Sequence, residues 1–446
     1  MISDIPIIKT FVYEKKFYCY DANTNFLVEI SKELYKELQE LQTIGKNAYI
    51  VQDKNIKAYN EVLNLMQKGF FESEIVKKIA HIQTKNIEIL SNRAVNQLIL
   101  GITNACNFKC RYCHQAEGKL LSNKERMSKG IVFKSIDFLY DHSKDAKYVS
   151  ISFYGGEPLL NFPLIVESVQ YANSKFKSKK VSYNLTTNAS LLNDKIIDFF
   201  YRNNFNLLIS LDGNEDIQNR HRRLLKNGGD TFNIVYKNIA RIREKYPKYF
   251  EEEIGFNAVL FEDDDPDAAY AFFQNNGFNS NYLSIKRADM MEIDYTYSPI
   301  LLKQNANNKY INKILDEDFL KKINNKNKIA NIWHHNGPCV AGIRRIYVNA
   351  EGNIYTCEKV DSDDSCKIGT LDSGFNISKM KEIMNIGKLT EEECKKCWGL
   401  RFCSICAYLC VDKGSFSKEK KLFACNNSKK EALTYFKKCI KSHGEN

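Results

Sequence analysis

Apolar and polar positions follow a repeating pattern from about residue 96 onward, in which apolar runs of strand length alternate with stretches of helical periodicity. Strands are predicted at 97–103, 147–153, 181–187, 206–211, 254–260 and 281–285, and helices at 126–143, 161–178, 192–203, 231–245 and 265–276. Repeated β–α units predict a parallel sheet covered by helices, either a barrel or an open doubly wound sheet. In both folds the chemistry lies at the carboxyl ends of the strands.

Residues 1–90 follow a different pattern, that of a small α+β unit. The apolar runs FYCY and FLVEI flank a turn at Asp21–Asn25, which is typical of a β-hairpin. Ser31 can cap a helix whose leucines share one face, and Gly69 can end a second helix. A hairpin followed by helices is the composition of a winged helix-turn-helix domain.

The last third of the chain lacks long apolar runs. Residues 305–330 are rich in Asn and Lys and indicate a surface connection, and a cysteine-dense region with Gly turns follows. Such a composition is typical of a domain stabilised by metal clusters rather than by a large core. At roughly 100–200 residues per domain, the length predicts two to four domains. We place the boundaries at 1–90, 91–310 and 311–446.

Composition indicates a globular protein of the cytoplasm. Hydrophobic residues make up 43% of the 446 positions, yet no apolar stretch approaches the roughly 18 residues of a membrane span. The N-terminal segment MISDIPIIKT lacks the basic head and apolar run of a secretion signal. The net charge of +11 could suit nucleic acid or an acidic peptide, but Lys and Glu are interspersed, which favours ordinary solvated surfaces.

The fourteen cysteines are unevenly distributed. Cys19 alone precedes position 100, three more lie within eight residues near position 110, and ten lie between Cys339 and Cys439. Because disulfides are disfavoured in the cytosol, clustered cysteines there indicate metal binding or catalysis.

The densest early cluster is Cys106-x3-Cys110-x2-Cys113, directly after the first predicted strand. Three thiolates on a tight loop can hold three irons of a cubane cluster, whereas most clusters take four cysteines. The fourth iron then stays open for a substrate or cofactor. Zinc is the alternative, but only His114 could be its fourth ligand, and its adjacency to Cys113 is poor chelate geometry.

In this spacing the chain resembles the radical S-adenosylmethionine enzymes. The resemblance implies a [4Fe–4S] cluster whose open iron binds S-adenosyl-L-methionine, and a reducing electron donor of the flavodoxin or ferredoxin type. It implies a 5′-deoxyadenosyl radical that abstracts a substrate hydrogen, with the difficult chemistry carried by the cofactor. It also implies that residues 91–310 form a partial (β/α)6 TIM-like barrel.

Several strand ends carry the residues that this family uses to contact its cofactor. Gly-Gly-Glu-Pro follows the second strand, and short polar side chains follow the third and fourth. Taken singly, these polar residues are helix caps or turn residues as readily as ligands. Arg220 and Arg223 leave the register of the family's carboxylate-binding arginine open. By the resemblance, the cofactor contacts are Tyr112, Gly155, Gly156, Glu157, Thr187, Asn188, Ser210, Asp212 and Arg222.

The cysteine field at the end of the chain resembles the SPASM domain, the auxiliary-cluster module of radical enzymes that modify peptides. The resemblance implies two auxiliary [4Fe–4S] clusters. The implied ligands of the second are Cys394, Cys397, Cys403 and Cys425, and those of the first are Cys339, Cys357 and either or both of Cys406 and Cys410. The family pattern would place a cysteine at Ala407, so the completeness of the first cluster stays open, as do the roles of Cys366 and Cys439. A zinc ribbon is the rival interpretation.

The three blocks together resemble radical maturases of ribosomally made, cysteine-rich precursor peptides, which join a cysteine sulfur to a carbon. Residues 1–90 resemble the recognition element at the front of such maturases, because a winged helix with an exposed strand can capture an extended leader by strand addition. The predicted activity is thioether crosslinking. Alternatives are formylglycine formation in a sulfatase, carbon–carbon crosslinking or epimerisation, and, in another class, a zinc-containing DNA-binding regulator.

Overall fold

The computed structural model describes residues 4–113, 126–278, 282–287, 300–302, 331–334, 340–361 and 363–442. The described chain divides into two compact units. The first combines Met1–Thr84, Met291–Pro338 and Met384–Asn446, and the second combines Lys85–Met290 with Cys339–Ile383. The predicted surface connection at 305–330 lies outside the described residues.

The strands are short and spread along the whole described chain. They are β1 Ile8–Tyr13, β2 Lys16–Asp21, β3 Phe26–Ile30, β4 Lys78–Ile79, β5 Gln97–Thr103, β6 Phe108–Cys110, β7 Tyr148–Gly155, β8 Lys180–Thr187, β9 Phe205–Ser210, β10 Arg222–Leu224, β11 Ile254–Leu260, β12 Tyr282–Arg287, β13 Ile300–Leu302, β14 Ile332–Trp333, β15 Arg345–Val348, β16 Asn353–Tyr355, β17 Lys367–Thr370, β18 Gly374–Phe375, β19 Val411–Asp412 and β20 Ser415–Phe416.

The α-helices alternate with the strands in the middle of the chain and flank them at both ends. They are Lys32–Ile44, Lys46–Ile50, Lys57–Gln67, Ile87–Ser91, Lys129–His142, Phe162–Lys175, Asp194–Arg202, Glu215–His221, Phe232–Lys245, Pro247–Glu253, Pro266–Asn275, Ile377–Met384, Glu391–Lys395 and Lys418–Ser442. In the part of the chain that the structure describes, none of these helices has the length and apolarity needed to cross a membrane.

A large, mostly parallel sheet forms the second unit. Its strands β5, β7, β8, β9, β11 and β12 are parallel neighbours in the order in which they occur along the chain. This consecutive winding is consistent with a partial barrel, whereas a doubly wound sheet reverses its strand order near the middle. The fold is therefore α/β, as the pattern predicted. The large side chains of Phe153, Phe205 and Phe256 are fully buried in its core.

Four further strands, β15 to β18, extend the same sheet beyond β5. The strand β15 pairs with β5 in parallel, and β16 and β17 follow it in antiparallel order. The pairing brings a segment from beyond residue 340 beside the first strand of the β–α repeat. Because Tyr347 fills the space over Gly101, a side chain at Gly101 would collide with the Tyr347 ring.

The first unit begins with an antiparallel sheet in which β2 lies between β1 and β3. The hairpin predicted around residues 21–25 is confirmed, and Ser31 accepts a hydrogen bond from the backbone of Leu34 at the start of the first helix. The strand β13 pairs in parallel with β3 and so covers that edge of the sheet.

Residues from both ends of the chain share one hydrophobic core in this unit. The Tyr20 and Phe436 rings lie 4.7 Å apart between centroids, and Phe402 packs edge-on against both rings. The buried Arg401 donates to the carbonyls of Ala22 and Asn23, at 3.1 and 3.0 Å. The first 84 residues and the segment after 384 are thus joined by apolar contact and by hydrogen bonds.

Candidate functional site

The three-cysteine loop lies at the carboxyl end of β5, where the sequence predicts it. Cys106 follows the strand, Cys110 ends the short strand β6, and Cys113 follows two residues later. The strand β6 pairs antiparallel with β10, which places Arg222 directly opposite Cys110. The loop is therefore held between the first strand of the repeat and a segment that follows the fourth.

The environment of Cys106 and Cys110 favours their neutral form until a metal binds. Burial raises the pKa of Cys106 to about 12 and that of Cys110 to about 11. The charges of neighbouring cysteines raise both pKa values further, whereas Arg222 lowers the pKa of Cys110. Iron binding would displace these protons, because only the thiolate is a metal ligand.

The three thiols of this loop fit a cubane cluster. In a cubane each thiolate binds a different iron, so three cysteines would hold three irons and leave the fourth open.

Gly155 and Gly156 allow the cysteine loop to approach the end of β7. The backbone nitrogen of Gly156 donates to the Thr103 carbonyl at 2.8 Å, and that of Glu157 donates to the Ala105 carbonyl at 2.9 Å. A Cβ at Gly156 would collide with the Ala105 carbonyl, and one at Gly155, whose φ is +140°, would collide with that of Thr103. The glycines therefore fix the position of the loop that carries Cys106.

The Glu157 carboxylate joins two neighbouring strand ends. It accepts hydrogen bonds from the Thr187 hydroxyl at 2.7 Å, the Asn188 backbone at 2.8 Å and the Leu159 backbone at 3.1 Å. Burial raises the pKa of Glu157 to about 7 although these donors lower it. In the structure, three of the predicted cofactor residues thus contact one another at the ends of β7 and β8.

Asp212, Arg222 and Tyr112 form a second buried group. Arg222 pairs with Asp212 through Nε at 3.0 Å and Nη2 at 3.2 Å, and the Tyr112 hydroxyl donates to both Asp212 oxygens at 2.8 and 2.7 Å. The Val259 backbone also donates to Asp212, and Arg222 Nη1 lies 3.8 Å from the Cys110 sulfur. The Asp212 carboxylate is therefore linked to the cysteine loop through Arg222.

One residue of the site, Asn107, was not predicted from the sequence. It lies inside the cysteine loop, accepts a hydrogen bond from Asn188 at 2.9 Å and donates to Ser190 at 2.8 Å. Asn107 belongs to no motif, because its role depends on the third strand lying beside the loop. The predicted contact Ser210 ends β9 in register with Asn257 of β11, and both side chains are half-buried.

The cysteines near the end of the chain are divided between the two units. Cys394, Cys397, Cys403 and Cys425 all lie in the first unit, and the charge of Cys394 raises the pKa of each of the other three. Burial raises the pKa of Cys397 to about 11 and that of Cys425 above its ordinary value. These are the four predicted ligands of the second auxiliary cluster.

The remaining cysteines are less informative. Cys406 and Cys410 also belong to the first unit, and the buried Cys410 thiol donates to the Cys406 carbonyl at 3.5 Å. Cys357 and the buried Cys366 belong to the second unit. Cys339 lies outside the described residues.

Comparison with known proteins identifies the domain around the first loop. Residues 100–271 match the Radical SAM superfamily. Over 334 residues the chain is 24% identical to the radical SAM cyclopropyl synthase TigE of Paramaledivibacter caminithermalis, an alignment that covers 69% of this chain and 66% of that enzyme. It is 26% identical over 367 residues to a cysteine-type anaerobic sulfatase-maturating enzyme of Clostridium perfringens, covering 74% of this chain and 94% of that enzyme.

Solved structures show the same fold. Native anSMEcpe with bound AdoMet aligns with a TM-score of 0.53 and 22% identity, over 77% of this chain and 98% of its own. Native anSMEcpe with bound AdoMet and the Kp18Cys peptide aligns with a TM-score of 0.53 and 21% identity, over 78% of this chain and 99% of its own. At this identity the likeness concerns the fold alone.

Proposed function

The chain carries a radical SAM domain, and we propose that it is a maturase of a ribosomally made, cysteine-rich peptide that forms thioether crosslinks. The observation that carries the proposal is the loop of Cys106, Cys110 and Cys113 at the carboxyl end of the first barrel strand. Cysteines 394, 397, 403 and 425, gathered in the other unit, support an auxiliary cluster of the kind found in peptide-modifying enzymes.

When bound, S-adenosylmethionine and its [4Fe–4S] cluster supply the radical chemistry. The three cysteines would hold that cluster, and the strand ends around them would orient the cofactor. Gly155 and Gly156 keep the loop close to β7, while Glu157 holds the ends of β7 and β8 together. Such positioning can contribute a large part of the barrier reduction, because the reacting atoms are already aligned.

Arg222 and Asp212 form a charged pair beside this loop, with Arg222 Nη1 3.8 Å from the Cys110 sulfur. Their forked pair is buried, so its field acts in a medium of low dielectric. Arg222 would offer its positive charge to a carboxylate, while Asp212 and Tyr112 hold its orientation. Tyr112 packs against the Arg222 guanidinium at 5.2 Å, which keeps water from the pair.

We assign leader binding to the sheet of β1, β2 and β3. Its β3 edge is covered by β13, and in the described part of the chain β1 pairs only with β2. An extended leader peptide could therefore add to the sheet beside β1, where the backbone groups on its outer side can pair with a new strand. Thr10 and Val12 belong to this edge, and half of the Val12 surface is exposed.

A second candidate is the oxidation of a sulfatase cysteine to formylglycine. The sequence match to the Clostridium perfringens enzyme favours it, since the alignment covers 94% of that enzyme. The two candidates differ in the fate of sulfur. A thioether crosslink keeps the sulfur and removes two hydrogens, whereas formylglycine formation removes the sulfur from the peptide.

Anaerobic co-expression with a cysteine-rich precursor encoded beside the enzyme, followed by tandem mass spectrometry, tests the proposal. We expect loss of two hydrogens per crosslink with retention of sulfur. Loss of sulfur would support the sulfatase candidate, and an unmodified mass would contradict thioether formation on this precursor.

The ligand role of the first loop has its own test. Cys106→Ala, Cys110→Ala and Cys113→Ala should each abolish production of 5′-deoxyadenosine by the anaerobically purified, reconstituted enzyme. Cys439→Ala is the matched control and should retain it, because this cysteine lies near the end of helix Lys418–Ser442. Retained cleavage in any of the three loop variants would refute the ligand role of that cysteine.

A further inference from the structure

One face of the helix Lys418–Ser442 presents a cysteine between two lysines. Lys421, Cys425 and Lys429 are spaced by four residues, so their side chains lie one above another along the helix. Cys425 is a proposed cluster ligand, and on the same face the Lys421 ammonium contacts Cys394, another proposed ligand of that cluster.

Lys421 is fully buried, which is rare for a lysine. Its ammonium donates to the Thr390 hydroxyl and lies 3.5 Å from the Cys394 sulfur. Thr390 in turn lies 3.3 Å from the same sulfur. In the part of the chain that the structure describes, no carboxylate forms an ion pair with Lys421.

A buried ammonium without an anionic partner is costly, because the charge loses its hydration. The Cys394 sulfur lies 3.5 Å from the Lys421 ammonium, so this cysteine and its neighbours in the proposed ligand set are the counter-charge available to the lysine. They can supply it only as thiolates, and thiolates gathered in a buried site are the state produced by metal binding.

Lys429 extends the same positive field. Its charge lowers the pKa of Cys397 and that of Cys425, although burial raises both. Lys429 is half-buried and packs near Gly399, two residues beyond Cys397. Cys394 thus contacts Lys421, Cys397 and Lys429 both lie against Gly399, and Cys425 is about one helical turn from each lysine.

We propose that Lys421, assisted by Lys429, holds a fixed positive charge against the cluster of Cys394, Cys397, Cys403 and Cys425 and raises its reduction potential. The inference rests on the auxiliary cluster of the proposed function. A cubane with four thiolates is an anion, and each added electron makes it more negative, so a nearby cation favours the reduced state. The two lysines would therefore make this cluster a better electron acceptor than it would be without them.

The experiment uses the full chain with Cys106, Cys110 and Cys113 replaced by Ala, so that only the later clusters titrate. In this background we compare Lys421→Met, Lys421→Arg and Lys420→Met after anaerobic reconstitution. Lys420 is the matched control, because it is the neighbouring lysine on the same helix and is exposed. Iron, sulfide and zinc are quantified, and midpoint potentials are measured by redox titration followed by electron paramagnetic resonance.

Lys421→Met should shift one midpoint to a more negative potential, while Lys421→Arg and Lys420→Met leave it near that of the parent protein. Loss of the cluster from Lys421→Met but not from Lys421→Arg also supports a requirement for charge. Loss from both, or an intact cluster with an unchanged midpoint in Lys421→Met, overturns the inference alone. Zinc instead of iron and sulfide in the parent protein refutes the auxiliary cluster itself, and the inference with it.

Discussion

Close backbone contact explains the residue types at the turn after β7. Gly156 sits where the carbonyl of Ala105 leaves no room for a Cβ, so this glycine is required by packing of the cysteine loop. Its backbone also donates to Thr103, which continues β5 into that loop. The glycines of the Gly-Gly-Glu-Pro turn, which the family resemblance relates to cofactor binding, are therefore also required by packing within the protein itself.

Gly156→Ala should displace the loop and weaken iron binding at Cys106. We expect a loss of about 1–3 kcal/mol in the free energy of unfolding, because the colliding atoms belong to the backbone. Gly130→Ala is the control, since Gly130 lies in a helix with space around it and alanine favours helix. Urea unfolding and iron content are measured; equal iron content in the two variants would contradict the packing role.

The raised pKa of Glu157 predicts a pH-dependent stability. The pKa is about 7 in the fold because of burial, against about 4.3 in the unfolded chain. The folded state thus binds more protons between these values, so the free energy of unfolding should fall as pH rises toward 7, by on the order of 3 kcal/mol over the whole range. Above the folded pKa this contribution is constant.

Glu157→Gln should remove that slope, measured by urea unfolding between about pH 5.5 and 8. Glu167→Gln is the control, because Glu167 is exposed and pairs only with the exposed Lys129 at 3.2 Å in the described structure. A slope that persists unchanged in Glu157→Gln would assign the pH dependence to another group.

At the scale of the elements, the short antiparallel pair of β6 and β10 joins the cysteine loop to the segment that follows β9. Arg222 of β10 pairs with Asp212, which follows β9, and Asp212 also accepts a hydrogen bond from the Val259 backbone in β11. One buried ion pair therefore connects three elements that are distant in sequence. The loop's position depends on this pair as well as on its own residues.

Replacing only one residue of the Arg222–Asp212 pair should lower the free energy of unfolding strongly, because the other charge stays buried without its partner. Arg222→Met and Asp212→Asn should each lower the free energy of unfolding by about 3–5 kcal/mol, since each leaves an uncompensated buried charge. The double variant should cost less than the sum. Arg223→Met is the control and should have a small effect, because its ion pair with Asp230 is exposed. Strictly additive costs would show that the two charges do not interact.

The elements themselves were largely predictable, because apolar periodicity and caps are local. The strands predicted at 97–103 and 254–260 have those bounds, whereas the strand predicted at 147–153 runs from Tyr148 to Gly155. The pairing of β15 with β5 was not predicted, since it joins segments more than 240 residues apart. The same holds for the Asp212–Arg222 pair and for the role of Asn107, which depend on which strand ends become neighbours.

At the scale of the whole chain, the domain boundaries predicted from the sequence stay a prediction. The first unit of the structure, however, is made of several chain segments and not of residues 1–90 alone. It combines Met1–Thr84 with Met384–Asn446 around one core. The sheet proposed to bind a leader and the cysteines proposed to bind a cluster are then parts of one folded body. Deleting residues 1–90 would therefore expose apolar surface of the cysteine segment in addition to removing the proposed leader site.

Phe436→Ala tests this shared core without deleting any segment. Phe436 is fully buried against Tyr20 and Phe402, so the cavity should cost about 3–5 kcal/mol. Phe423→Ala on the same helix is the control, because 69% of the Phe423 surface is exposed and its loss should change little.

If the two ends fold together, Phe436→Ala should increase hydrogen exchange in β2 as well as around Cys394 and Cys403. The exchange of β8 in the second unit should change less, which makes it an internal reference. Increased exchange confined to the cysteine segment, with β2 unchanged, would show that the sheet of β1, β2 and β3 is stable without the helix. Leader binding could then be separated from the clusters by truncation, whereas a joint response means that only point substitutions can separate the two activities.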